Sequence, residues 1–168
     1  VGAGQVADRR VASGAQVVQG LVVHAHGVFL FEQVNLAQEI VAQKSHETVD
    51  QRKHFVRANG REVFKLAVRV MEERVAETLE MCGHTAEDID LFIPHQANMR
   101  IIDAGRQRLG LSWDKVVANV DQYGNTTAGT IPIALDEAIR TGRARSGDRV
   151  LMVSFGAGFT WGITVAVL

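Results

Sequence analysis

His95 carries the clearest chemical potential in this 168-residue sequence. It stands in Asp90-Leu91-Phe92-Ile93-Pro94-His95-Gln96-Ala97-Asn98-Met99-Arg100, where three apolar residues after an acid predict a short buried strand and Pro94 predicts its end. The imidazole therefore falls where a strand gives way to a helix. In layered α/β proteins that is where ligands and chemistry collect, because side chains and helix N-termini converge there without blocking the core. A histidine taken alone is more often a capping or core residue. Two downstream segments change that balance. Asp121-Gln122-Tyr123-Gly124-Asn125-Thr126-Thr127-Ala128-Gly129-Thr130 is a polar, small-residue turn entering a helix, and Phe155-Gly156-Ala157-Gly158-Phe159-Thr160-Trp161-Gly162 is a glycine-rich loop between two strands.

Two other sets of residues have reactive side chains and a plainer reading. Cys82, the single cysteine, closes a predicted helix just before Gly83. An activated thiol needs a helix N-terminus or a cationic neighbour to hold its thiolate, and a helix C-terminus offers the opposite dipole, so Cys82 reads as structural. His24 and His26 share one face of a predicted strand with Val22 and Val28, yet two imidazoles without a third ligand make a weak metal site. No metal site is expected.

The elements that would position His95 follow from periodicity. Asn59-Gly60 supplies a turn, and a helix runs from about Glu62 to Met81 with Val63, Leu66, Ala67, Val70, Val75 and Leu79 on its apolar face and Gly83 at its end. Lys65, Arg69, Glu72, Glu73, Arg74 and Glu77 make the opposite face a solvated one. Thr85-Ala86-Glu87-Asp88 has the pattern of a capping box. Beyond His95 a helix is expected from Ala97 to Leu109, with Asn98 placed to cap it and Ile101, Ile102, Gly105 and Leu109 facing inward. Val116 to Val120 reads as a strand delivering Tyr123-Gly124-Asn125. Thr126 to Ile139 reads as a helix with Pro132 in its first turns, and Arg149 to Phe155 and Trp161 to Leu168 as apolar strands joined across Gly156-Ala157-Gly158. The fold class is α/β, a mixed sheet layered with helices.

At 46% hydrophobic and 22% charged residues, the chain is long enough for one globular domain with a real core. A net charge of −1 gives no broad pull toward nucleic acid or an anionic membrane, so neither is an expected partner. No apolar run approaches the roughly 18 residues that span a bilayer. Residues 1–28 lack the basic start and apolar centre of a secretory signal, and a lone cysteine fits a reducing compartment, so the expected location is cytoplasmic.

The PHQAN strand end, the YGNT turn and the FGAGFTWG loop, in this order and at these spacings, closely resemble the C-terminal half of β-ketoacyl-acyl-carrier-protein synthase III, a thiolase-fold condensing enzyme. The resemblance runs from about Ser45 to Leu168. Residues 1–44, including a possible short helix over Gln33 to Lys44, show none, and are expected to be foreign to the fold, for example through a shifted reading frame or truncated gene.

The resemblance implies half of a thiolase-like fold and a definite chemistry. A decarboxylating condensation develops negative charge on a thioester oxygen, and each preorganised hydrogen-bond donor aimed at it is worth about 3 kcal/mol of barrier. His95 Nε2–H and the Asn125 amide take the family's two donor positions; burial would keep His95 neutral for that task. Phe155 would wall the pocket, Gly156, Ala157 and Gly158 would let backbone approach the substrate, and the Ala157 N–H would hold the acyl oxygen. Alanine stands there where the family often has glycine. Gln96, Ala97, Asn98, Met99 and Arg100 would form the surface that receives the acyl carrier protein, with Arg100 its best single contact. The substrates would be an acyl-CoA and malonyl-acyl carrier protein, with no cofactor. The family's nucleophilic cysteine lies in the half not recognised here, so this chain carries the oxyanion half of an active site. That half would need a second copy or a complementary N-terminal half to cover its apolar face. The alternative is a non-catalytic remnant or binding module that keeps the fold.

Overall fold

The computed structural model describes residues 10–18, 21–29, 32–33, 45–52, 59–156 and 160–168, with the backbone alone for those before Ser45. Six strands form one mixed sheet: β1 (Arg10–Val18), β2 (Leu21–Phe29), β3 (Glu32–Gln33), β4 (Leu91–Pro94), β5 (Arg149–Gly156) and β6 (Thr160–Val167). The order is β1-β2-β6-β5-β4, with β3 also pairing β6. β4 and β5 run parallel, with Leu91 opposite Val150 and Pro94 opposite Val153; the other pairs are antiparallel. Residues 10–33, in which the sequence shows no family resemblance, carry the three strands on the far side of β6. His24 and His26 both lie on β2, two residues apart; the Gln33 to Lys44 helix falls almost wholly outside the described residues.

Period-two alternation sends β4 side chains to two separate cores. Phe92 joins Leu151, Val153, Ile163 and Val165 under the helices on one face; Leu91, Ile93 and Val150 join Ala134 and Ala138 on the other. A parallel strand covered on both faces is why Leu91-Phe92-Ile93 reads as an uninterrupted apolar run. On the first face lie α2 (Gly60–Met81) and α3 (Met99–Arg108), and on the second α5 (Thr130–Arg140); two short helices, α1 (His46–Asp50) and α4 (Val120–Tyr123), complete the set.

The helix ends follow their predicted signals. The Asn59 side chain accepts from the Glu62 N–H at 3.3 Å, the Asn98 side chain accepts from the Ile101 N–H at 3.1 Å, and Gly83 leaves α2 with φ +71°. Thr85 and Asp88 form the expected capping box around a single 3-10 turn, Ala86–Asp88. Residues 116–120 depart from expectation. Val116 makes only an isolated bridge to Phe92, and the chain turns at Val120 into α4. Beyond the bridge the backbone groups of Val117 and Asn119 bond to the Gln96 side chain, which replaces the ladder a strand would need.

α2 and α3 meet where the backbone of Gly105 lies against fully buried Met71. A methyl there would collide with Met71 Sδ. Gly105→Ala is therefore expected to lower the unfolding free energy by about 1–3 kcal/mol, the usual range for overpacking a core. Denaturant unfolding checks this, and an unchanged midpoint would contradict the close approach.

Candidate active site

The end of β4 is anchored before the histidine is placed. The His95 N–H donates to the Val153 carbonyl at 2.7 Å, continuing the β4–β5 ladder one residue past the strand. The ring is then directed toward the start of α5. His95 is 8% exposed, and its Nδ1 lies 2.6 Å from the Thr130 hydroxyl oxygen. Burial holds its pKa below the usual 6.5, favouring the neutral imidazole. Nε2 makes no hydrogen bond among the described residues.

Asn125 approaches through the turn that follows α4. Gly124 reverses the chain with φ +67°, and Thr127 adopts φ +53°, an uncommon conformation for a β-branched residue. With that backbone, the Thr127 N–H donates to Asn125 Oδ1 at 2.9 Å, while the Thr127 carbonyl lies 3.0 Å from the Thr130 hydroxyl. The predicted pair is thus joined through two threonines: Asn125 oxygen to the Thr127 N–H, and the Thr127 carbonyl by way of the Thr130 hydroxyl to the imidazole. Asn125 is exposed and its Nδ2 makes no hydrogen bond among the described residues. Each side chain has its inner end held by the protein and its outer end available to a ligand.

Gln96 belongs to the interior. It is 1% exposed; its Nε2 donates to the carbonyls of Pro94 at 2.7 Å and Val117 at 3.1 Å, and its Oε1 accepts the Asn119 N–H at 2.9 Å. Expected on a carrier-protein surface, it has no exposed surface to offer one. Asn119 extends the tie by donating from Nδ2 to Glu137 of α5 at 2.7 Å. Ala97 packs against the α2–α3 core, Asn98 caps α3, and Met99 and Arg100 are exposed, the Arg100 guanidinium lying 5.3 Å over the Phe64 ring. Phe155 packs against that core from β5, and Gly156 ends the strand with the Thr160 hydroxyl too close to admit a Cβ. Ala157 and Gly158 lie outside the described residues. Cys82 caps the C-terminus of α2, as expected. Among the described residues no group of three His, Cys, Asp or Glu side chains is arranged to hold a metal ion.

Residues 79–168, more than half of the chain, match the model of the 3-oxoacyl-[acyl-carrier-protein (ACP)] synthase III C-terminal family. The chain belongs to that family. Over 118 residues it is 58% identical to the β-ketoacyl-[acyl-carrier-protein] synthase III of Symbiobacterium thermophilum, covering 70% of this chain and 36% of the relative. The corresponding enzyme of Caldanaerobacter subterraneus is 56% identical over 121 residues, covering 72% and 37%. The solved structure of the synthase III from Thermus thermophilus superposes with a TM-score of 0.75 at 45% identity, over 91% of this chain and 48% of that one. The mixed sheet with helices on both faces is thus half of a thiolase-like fold, and the chain spans little more than a third of the length of these curated relatives.

The family region contains every described residue of the site, from His95 to Gly156. Thr127 and Thr130 were not singled out by the sequence. Their hydroxyls and amides look like ordinary helix-entry residues, and only the left-handed Thr127 backbone turns them toward two different side chains.

A lowered His95 pKa has a definite sign in stability. As pH falls through 6.5 the unfolded chain takes up its proton before the folded one does, so the contribution is full above 6.5 and is lost as pH falls toward the lower folded value. An NMR titration should place the His95 midpoint below 6.5, and His95→Gln should weaken the acid-side loss of stability. A midpoint at or above 6.5 would contradict the burial.

Proposed function

We propose that this chain is the C-terminal catalytic half of a β-ketoacyl-acyl-carrier-protein synthase III, supplying the two donors that stabilise the enolate of a decarboxylating condensation. What carries the reading is the run of contacts from His95 through Thr130 and Thr127 to Asn125, with a donor-capable nitrogen of each side chain unused among the described residues. A neutral imidazole donating from Nε2 and a carboxamide donating from Nδ2 suit an oxygen on which charge develops. In the reaction, an acyl-CoA transfers its acyl group to a thiol; a malonyl-carrier thioester then loses carbon dioxide, and its enolate carbon attacks the acyl carbonyl and expels the thiolate.

The nucleophilic thiol of that scheme belongs to the N-terminal half of the enzyme, outside the matched C-terminal region. The sequence's single cysteine, Cys82, sits at the negative end of the α2 dipole, where a thiolate gains nothing. Without that thiol these residues are accordingly inactive; a second copy would cover the apolar face without supplying the nucleophile, so catalysis needs the complementary half, with the synthase-like part here beginning near Ser45. Phe155 walls the pocket beside Gly156; the role that the family resemblance gives Ala157 and Gly158, a backbone N–H for the acyl oxygen, falls outside the described residues. Ala97, Asn98, Met99 and Arg100 face the acyl carrier protein; the stacked Arg100 guanidinium keeps its edge N–H groups for a phosphate or carboxylate. The reading requires no cofactor, metal, nucleic acid or membrane and a cytoplasmic setting. Among the described residues no helix is long and apolar enough to cross a membrane.

Mixing the purified chain with a synthase III N-terminal half, an acyl-CoA and malonyl-carrier protein tests this. β-Ketoacyl product is expected only in the full mixture, and His95→Ala or Asn125→Ala should each lower its rate by about 10²–10³-fold, the range for removing one oxyanion donor. A folded mixed complex without product, or variants as active as the parent, would favour the non-catalytic binding module instead.

A further inference from the structure

The Thr130 hydroxyl has one proton and two acceptors within reach, the imidazole Nδ1 at 2.6 Å and the Thr127 carbonyl at 3.0 Å. Which one receives it decides the chemistry of His95. If the proton goes to Thr127, then Nδ1 must donate to Thr130, the ring proton sits on Nδ1, and Nε2 faces the site as a base. If it goes to Nδ1, the ring proton sits on Nε2 and the histidine faces the site as a donor. No carboxylate hydrogen-bonds the ring among the described residues, so the usual acidic partner that fixes a histidine tautomer is replaced here by a hydroxyl.

The geometry points to Thr130 as the residue that selects the tautomer: its hydroxyl donates to His95 Nδ1 and thereby holds the ring proton on Nε2. Bond lengths separate the alternatives. A separation of 2.6 Å is shorter than the range of about 2.7–3.2 Å for an N–H donating to oxygen, whereas hydroxyl donors approach their acceptors more closely, about 2.5–3.0 Å when the acceptor is oxygen. The 3.0 Å to the Thr127 carbonyl is at the far end of the hydroxyl range. Thr130 is 2% exposed, so water does not compete for its proton. This inference deepens the proposed function, since the oxyanion reading of His95 requires the Nε2–H form. Thr130 is a positioning residue, acting on the substrate only through His95.

Nitrogen-15 NMR of the full chain, recorded above the His95 titration and assigned by the signals lost in His95→Gln, reads the tautomer directly. The parent should show Nε2 in the protonated range and Nδ1 in the unprotonated range. Thr130→Val keeps the side-chain shape and removes the hydroxyl; both His95 nitrogens should then move toward intermediate shifts. Thr130→Ser should restore the parent pattern. A parent spectrum with the proton on Nδ1 would overturn the proposal, as would a folded Thr130→Val chain with an unaltered tautomer. The readout is independent of condensation: an Nε2–H signal with no product in the reconstituted mixture would sink the functional reading and leave this one standing.

Discussion

A buried strand end must find a partner for every polar group it carries inward, and the carboxyl end of β4 meets that constraint with side chains from two later segments. Unpaired backbone groups in such a place cost about as much as a lost hydrogen bond each, so few alternative arrangements compete. Gln96 answers for the backbone by satisfying Pro94, Val117 and Asn119 with one carboxamide. Thr130 answers for the imidazole. Both contacts pull the segment after β4 back over the strand from which it came, and the rest of the site takes its position from that return.

Stability and chemistry divide the neighbouring residues between them. Gln96 and His95 are adjacent, both buried, and opposite in role: the first commits both its donors and its oxygen to backbone, while the second keeps one nitrogen back among the described residues. Thr127 is held in a left-handed conformation that costs of order 1–3 kcal/mol for a non-glycine residue. Its N–H then serves Asn125 while its carbonyl lies 3.0 Å from the Thr130 hydroxyl, a placement that a relaxed backbone at that point would not give. Strain at one residue is the local expense of orienting two side chains from different elements.

Much of this was legible in the residues themselves, for identifiable reasons. Leu91-Phe92-Ile93-Pro94 announces a buried strand and its stop, Asn59 and Gly83 bracket α2, and Asn98 caps α3, because each is a local preference that tertiary packing did not oppose. Asn125 and His95 were singled out through motif and order. Residues 116–120 misled, since four apolar positions suit a strand or a buried coil equally, and the deciding bonds come from Gln96, more than twenty residues earlier. Gln96 itself misled in the other direction: a polar residue beside an exposed helix start looks like surface until the carbonyls it satisfies are known. Thr130 could not be recognised as a partner of His95, because a contact between residues 35 apart is a property of the fold.

A crystal structure of the chain tests the central claim most directly, that the imidazole and the carboxamide are presented together by one threonine-linked turn. It should show Nδ1 of His95 on the Thr130 hydroxyl and Oδ1 of Asn125 on the Thr127 N–H. The remaining nitrogens should both lie about 2.7–3.1 Å from one bound oxygen. A ring turned away from Thr130, or an Asn125 side chain facing the opposite layer of the sheet, would contradict it.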